Sequence, residues 1–244
     1  MAWQRLFIAP QQRVEQQIQL TAAQQHYLRR VLRLQEGERF LVFDGEGGQW
    51  LAALSPEPTL AVVIKPMAAT PRPQPKIVLA AALPKGSGFD EVVRQATELG
   101  VDCLQPLISD RTLLKPSPNR LSRWQRIAVE ASEQSERLSV PEIKSPLPWR
   151  DFLGEAQGSR YLCVARDRGP HLFNCLFPLP EIITIVTGPE GGWTAAEIAA
   201  AVATEFEPVS LGPQVLRAVT APLAALTLVQ AAINLGETAD HPAD

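Results

Sequence analysis

The chain has 244 residues, 45% of them hydrophobic and 20% charged, with a formal net charge of −3. This balance describes a globular protein able to bury a substantial core, and it excludes nucleic-acid binding through bulk positive charge alone. Three cysteines, Cys103, Cys163 and Cys175, lack metal-ligand spacing, and with no secretory apolar segment they lead to the expectation of a reducing cytoplasm and no metal.

In chain order, the pattern predicts a short strand over 6–9, a helix over 22–32, and extended segments over 39–44, 49–54 and 60–64. The glycine-rich stretch from Asp44 to Gly48 reads as a hairpin turn. Together these describe a small β-rich module, a barrel. Residues 1–33 carry Arg5, Arg13, Arg29, Arg30 and Arg33 against the single acid Glu15, a basic end suited to a phosphate backbone. Pro71, Pro73 and Pro75 then alternate with polar residues and favour an extended linker. The expected division is therefore a first domain over 1–70, a linker over 71–76 and a second domain over 77–244.

Beyond the linker, strand and helix patterns alternate. Strands are predicted over 77–83, 103–108, 160–165, 182–186 and 209–211, and helices over 89–99, 123–135 and 222–235. Such alternation predicts an α/β domain with a mostly parallel sheet. The apolar run over 221–235 is interrupted by Thr227, Gln230 and Asn234 and is shorter than the roughly 20 residues of a membrane span, so no membrane role is expected. After the strand over 182–186 stands Gly188-Pro189-Glu190-Gly191-Gly192, followed by Thr194 and Glu197 in the spacing of a capping box. Three glycines around a proline predict a shaped backbone surface. The loop lacks both the G-x-G-x-x-G spacing and the P-loop lysine, and it carries a carboxylate where a phosphate needs donors. Gly212-Pro213 follows another strand, and ligands of open parallel sheets collect at strand carboxyl ends, so the two turns are expected to wall one pocket.

These residues also carry a resemblance. Arg5-Leu6-Phe7, the run from His26 to Arg33, Asp44-Gly45, Thr97-Glu98-Leu99-Gly100-Val101, the run from Glu130 to Arg137, the 188–192 loop, Leu211-Gly212-Pro213 and Val215-Leu216-Arg217 together resemble the bacterial ribosomal RNA small subunit methyltransferase E family. The resemblance covers nearly the whole chain. It implies a small N-terminal PUA-like β-barrel for RNA and a C-terminal SPOUT-type α/β trefoil-knot domain that binds S-adenosyl-L-methionine. It further implies a homodimer that methylates N3 of a uridine in 16S rRNA, on free rRNA or on the small ribosomal subunit. Carried onto this sequence, the cofactor would be held by Thr187, Gly188, Pro189, Glu190, Gly191, Gly192, Leu211, Gly212, Val215 and Leu216. Arg217 would serve transfer, and Arg5, Arg29, Arg30, Arg33, Lys85, Gln134 and Arg137 would meet RNA. One position departs from the pattern: Val219 stands where the family usually shows Glu.

Blander readings of single residues stand beside these. Arg29, Arg30 and Arg33 also fit the solvated face of a helix, Gln134 and Arg137 fit pairing within their own helix, and His26 fits a structural role because it lacks an evident acid or nucleophile partner. Glu98 fits a hydrogen-bond acceptor near a helix end. Two other functions remain open at this level: a catalytically impaired RNA-binding or ribosome-assembly factor, which the loss of the carboxylate at Val219 favours, and a different α/β transferase, which the missing nucleotide motifs disfavour.

Overall fold

The computed structural model describes residues 3–68, 75–114, 117–166 and 169–240, with the backbone alone for residues 118 and 237–240. Most of the expected proline linker therefore lies outside the described residues. The chain forms two compact units, one of Met1–Arg72 with Ser132–Val140 and the other of Pro73–Ala131 with Pro141–Asp244.

The first unit is built on strands β1 (Arg5–Phe7), β2 (Arg13–Val14), β3 (Gln17–Gln19), β4 (Arg39–Phe43), β5 (Gln49–Leu54) and β6 (Leu60–Pro66). They form one sheet in the order β1-β4-β5-β6-β3-β2, parallel at β1 and β4 and antiparallel elsewhere. Alternation gives the sheet one core face, on which Phe40 and Val42, Ile18, Ala52 and Leu54, and Ala61 and Val63 are buried together. Asp44 Oδ1 accepts from the backbone N–H groups of Glu46 and Gly48, at 2.9 and 2.8 Å, and so makes the hairpin turn between β4 and β5. The helix expected over 22–32 is α1 (Ala22–His26), capped reciprocally by Thr21 and Gln24, continuing as a π turn over Tyr27–Val31. That turn keeps Leu28 in the core and is capped at Leu32, after which Arg33 has φ of 58°.

Ser132–Val140 belongs to this unit through named bonds. Phe7 N–H donates to Glu133 Oε1 at 2.7 Å, Arg5 Nη2 donates to the Arg137 carbonyl at 2.8 Å, and Val140 N–H donates to the Gly45 carbonyl at 3.1 Å.

The second unit carries β7 (Lys76–Ala82), α2 (Gly88–Glu98), β8 (Cys103–Ile108), α3 (Pro118–Gln134, its last residues in the first unit), β9 (Glu142–Ile143) and β10 (Leu147–Pro148). It continues with α4 (Trp149–Glu155), β11 (Ser159–Cys163), α5 (Leu172–Cys175), β12 (Ile182–Thr187), α6 (Ala195–Ala203), β13 (Glu207–Val209) and α7 (Thr220–Asp240). Every strand pair is parallel, in the order β10-β8-β7-β12-β11-β13, with β9 also on β8. The central strands are buried along their length, as a parallel sheet covered on both faces requires. The strand expected over 209–211 lies at Glu207–Val209, because Ser210 leaves β11, its N–H donating instead to the Pro170 carbonyl and its carbonyl accepting from the Leu172 N–H. Helix α4 supplies Trp149, Phe152 and Leu153 to a core shared with Trp193 and Phe206, and the Trp149 and Trp193 rings lie 4.8 Å apart. Trp193 follows the 188–192 loop directly, so this aromatic core fixes the base of that loop.

Candidate active site

A cavity of about 290 Å³ opens at the carboxyl ends of the second unit's strands. Its walls come from the segment after β12 (188–193), the end of β11 and the turn beyond it (163–166), the stretch after β13 (Leu211, Gly212, Gln214, Val215 and Leu216), the start of α7 and Arg111 after β8. The two glycine turns therefore share one pocket. Gly192 and Gly212 have φ of 66° and 119°, and open space lies where each would carry a Cβ. A side chain at either would be strained and would project into that space.

The 188–192 loop is held from all sides. Gly192 N–H donates to the Pro189 carbonyl at 2.8 Å, closing the turn. Glu190 Oε1 accepts from the Lys85 backbone N–H at 2.9 Å, which ties the loop to the segment after β7. Arg111 Nη1 donates to the Gly191 carbonyl at 2.6 Å. The capping box is present, with Glu197 N–H donating to Thr194 Oγ1 and Thr194 N–H to Glu197 Oε2. Buried Glu197 also accepts from Asp110 N–H at 2.9 Å, joining α6 to the end of β8. Beneath the loop, Trp193 Nε1 donates to the Cys163 carbonyl at 3.2 Å, and a Cβ at Gly188 would stand 3.0 Å from that indole nitrogen.

The proposed cofactor residues Gly188, Pro189, Glu190, Gly191, Gly192, Leu211, Gly212, Val215 and Leu216 all line the cavity. Thr187 lies below its wall, 1% exposed, and its Oγ1 is buried without a hydrogen-bond partner. Arg217 is exposed, next to the lining residues Leu216 and Ala218, and its carbonyl accepts from Thr220 and Ala221 N–H at the start of α7. Val219 packs where a Cβ on Gly88 would come within 2.9 Å of its Cγ1.

The residues expected to meet RNA divide by commitment. In the first unit, Arg5 donates inward to the Arg137 carbonyl, lies 5.3 Å from the Phe43 ring centre, and has its guanidinium pushed below the ordinary value by burial, against the pull of Glu136 and Glu133. Arg29 donates to the Ser55 carbonyl, and Arg137 Nη2 to Ser139 Oγ. Arg30, Arg33 and Gln134 are exposed. In the second unit, Lys85 is exposed, and its backbone is the part that braces Glu190.

Three contributors to the pocket carried no recognisable local pattern: Arg111, the 163–166 turn and Trp193. Arg166 has φ of 63°, an unusual conformation for a side-chain-bearing residue. Cys163 is a poor nucleophile there, because burial pushes its thiol up to about 12. Among the described residues no group of His, Cys, Asp and Glu is arranged to hold a metal ion, and no helix is long and apolar enough to cross a membrane. The pocket is thus a cradle walled largely by glycine-bearing loops, with Arg111 and Arg166 also in its wall.

Comparison with known proteins places this geometry in a family. A model of the RNA methyltransferase domain matches residues 70–230, and one of the RNA methyltransferase PUA domain matches residues 20–66. The chain is 48% identical over 239 residues to a ribosomal RNA small subunit methyltransferase E of Synechocystis, covering 94% of this chain and 78% of that protein. It is 28% identical over 244 residues to the one of Bacillus subtilis, covering 93% and 95%. The crystal structure of the Neisseria gonorrhoeae protein of that name bound to S-adenosyl methionine superposes with a TM-score of 0.86 at 30% identity, covering 94% of this chain and 97% of that one. A Legionella pneumophila putative methyltransferase in complex with the same cofactor also gives 0.86, at 28% identity and coverages of 95% and 98%. With its PUA-like β-rich unit and a SPOUT-type α/β unit, the chain belongs to the ribosomal RNA small subunit methyltransferase E family.

Proposed function

We propose that this protein is an S-adenosyl-L-methionine-dependent methyltransferase acting on N3 of a uridine in 16S rRNA. The observation that carries the reading is the cavity itself: two glycine turns at parallel strand ends, open above Gly192 and Gly212 and free of lysine. Its volume lies at the lower edge of the roughly 300–1,000 Å³ of small-molecule pockets. Related proteins of the same fold bind that cofactor.

When bound, S-adenosyl-L-methionine supplies a methyl group on a sulfonium, whose transfer is downhill. The chain's own residues then have two tasks. Gly188, Gly191, Gly192, Leu211, Gly212, Val215 and Leu216 hold and orient, because alignment of reacting atoms is where most of the acceleration lies. Arg217, permanently protonated and able to make paired hydrogen bonds, stabilises the negative charge that develops on the uracil ring as N3 loses its proton. Since N3 is on the pairing edge, the uridine is taken unpaired or flipped out. Arg30 and Arg33 on the first unit, and Lys85 on the second, contact phosphates and set register, while Arg5, Arg29 and Arg137 support the first unit's surface from within. The working division is a PUA-like domain over 1–70 and a methyltransferase domain over 77–244, in a cytoplasmic homodimer.

The test is direct. Incubation with labelled S-adenosyl-L-methionine and unmodified small subunits should yield labelled N3-methyluridine, identified by mass spectrometry, and its absence overturns the reading. A second reading, a factor that binds RNA but has lost catalysis, is favoured by Val219 and predicts RNA binding without methyl transfer.

A further inference from the structure

We infer that Arg111 is a positioning residue that locks one peptide plane of the cofactor loop, and that Gly191 lacks a side chain to let it do so. This rests on the reading of the cavity as the S-adenosyl-L-methionine site. The peptide between Gly191 and Gly192 is held at both ends: its carbonyl accepts from Arg111 Nη1 at 2.6 Å and its N–H donates to the Pro189 carbonyl at 2.8 Å. In a planar trans peptide these groups point in opposite directions, so fixing both prevents the plane from turning over. Glycine-rich backbone with φ of 66° at Gly192 otherwise has that freedom. The arginine stem crosses Gly191 closely, since a Cβ there would lie 3.1 Å from Arg111 Cδ and 3.3 Å from its Cβ. Gly191 is not at a positive φ, so what a side chain there would meet is the Arg111 stem, which would have to give by a few tenths of an ångström. Arg111 stands 80 residues away in sequence, after β8, and so fastens the loop to a neighbouring strand.

The inference predicts a shared defect. Arg111→Ala removes the donor, and Gly191→Ala displaces the stem while keeping the charge. Each should weaken S-adenosyl-L-methionine binding, measured calorimetrically, by about tenfold or more, as loss of a hydrogen bond to a charged group implies. Because both break the same contact, the double variant should be little worse than either single one. The KM for RNA should stay near that of the parent, and Arg111→Lys should recover part of the affinity. Additive losses, or a raised KM for RNA with unaltered cofactor affinity, would overturn the inference. If the parent protein itself fails to bind the cofactor, the reading of the cavity fails instead. Hydrogen exchange at Gly192 provides a check independent of turnover: its amide should lose protection in both variants while the strand amides of β12 keep theirs, and unchanged protection at Gly192 counts against the lock.

Discussion

Arg217 differs from the other residues near the cavity in being a cation at its edge without lining it. A group so placed can act on the base without contributing to the cofactor cradle. Arg217→Ala is therefore expected to lower methyl transfer by at least about a hundredfold, the scale of a lost charge-stabilising donor, with cofactor affinity within a few-fold of the parent. Single-turnover kinetics with calorimetry separates the two, and a fully active variant removes the assignment. Cys163 offers a second expectation, on stability. Burial raises its thiol from 9.0 to about 12, so the folded state holds the proton across that window while the unfolded chain releases it. Its contribution is complete below about pH 9 and is lost as pH rises towards 12. Cys163→Ala should flatten the alkaline limb of a denaturation profile, and an unchanged limb would show that burial of this thiol is not felt.

At the scale of elements, helix α6 shows how a local signal acquires a longer reach. The pair Thr194 and Glu197 marks a helix start in the sequence alone, yet in the fold Glu197 also accepts from Asp110 N–H, which no local pattern announces. Glu197→Ala should cost about 1–3 kcal/mol, because the reciprocal half of the capping box and the bond from Asp110 N–H are lost while Thr194 still caps the helix. Urea denaturation measures this, and a loss below about 1 kcal/mol, the scale of an ordinary exposed cap, would mean that the Asp110 bond contributes nothing. Legibility follows the same division between local and distant causes. Strands β7, β8 and β12 were readable because a covered parallel strand is a continuous apolar run, and both glycine turns were readable because tight backbone needs glycine. Strands β2, β9 and β10 have two residues each, too few to show a period. Helix α4 is only seven residues and follows Pro146 and Pro148, yet its Trp149 braces Trp193. Arg111 reached the pocket only through strand order, since it joins Gly191 across 80 positions.

For the molecule as a whole, the proline-rich stretch suggests two domains consecutive in sequence, whereas one compact unit gathers Ser132–Val140 with Met1–Arg72. The physical reason lies in groups that the first 72 residues leave without partners. Phe7 N–H depends on Glu133, the half-buried Arg5 guanidinium on the Arg137 carbonyl, and Gly47 N–H on the Leu138 carbonyl at 3.2 Å. Without the segment each group turns to water and the net worth of its bond, about 0.5–1.5 kcal/mol, is lost, so several together are a sizeable share of the stability of a domain this small. A fragment of residues 1–72 should therefore unfold at markedly lower denaturant than the same unit in the full chain, and fusing residues 132–140 to it should recover part of the difference. Within the full chain, Glu133→Ala should speed hydrogen exchange at Phe7 while leaving the β4 and β5 amides protected. A fragment as stable as the unit in the full chain, with Phe7 equally protected, would mean that the 132–140 segment rests on the first unit without supporting it.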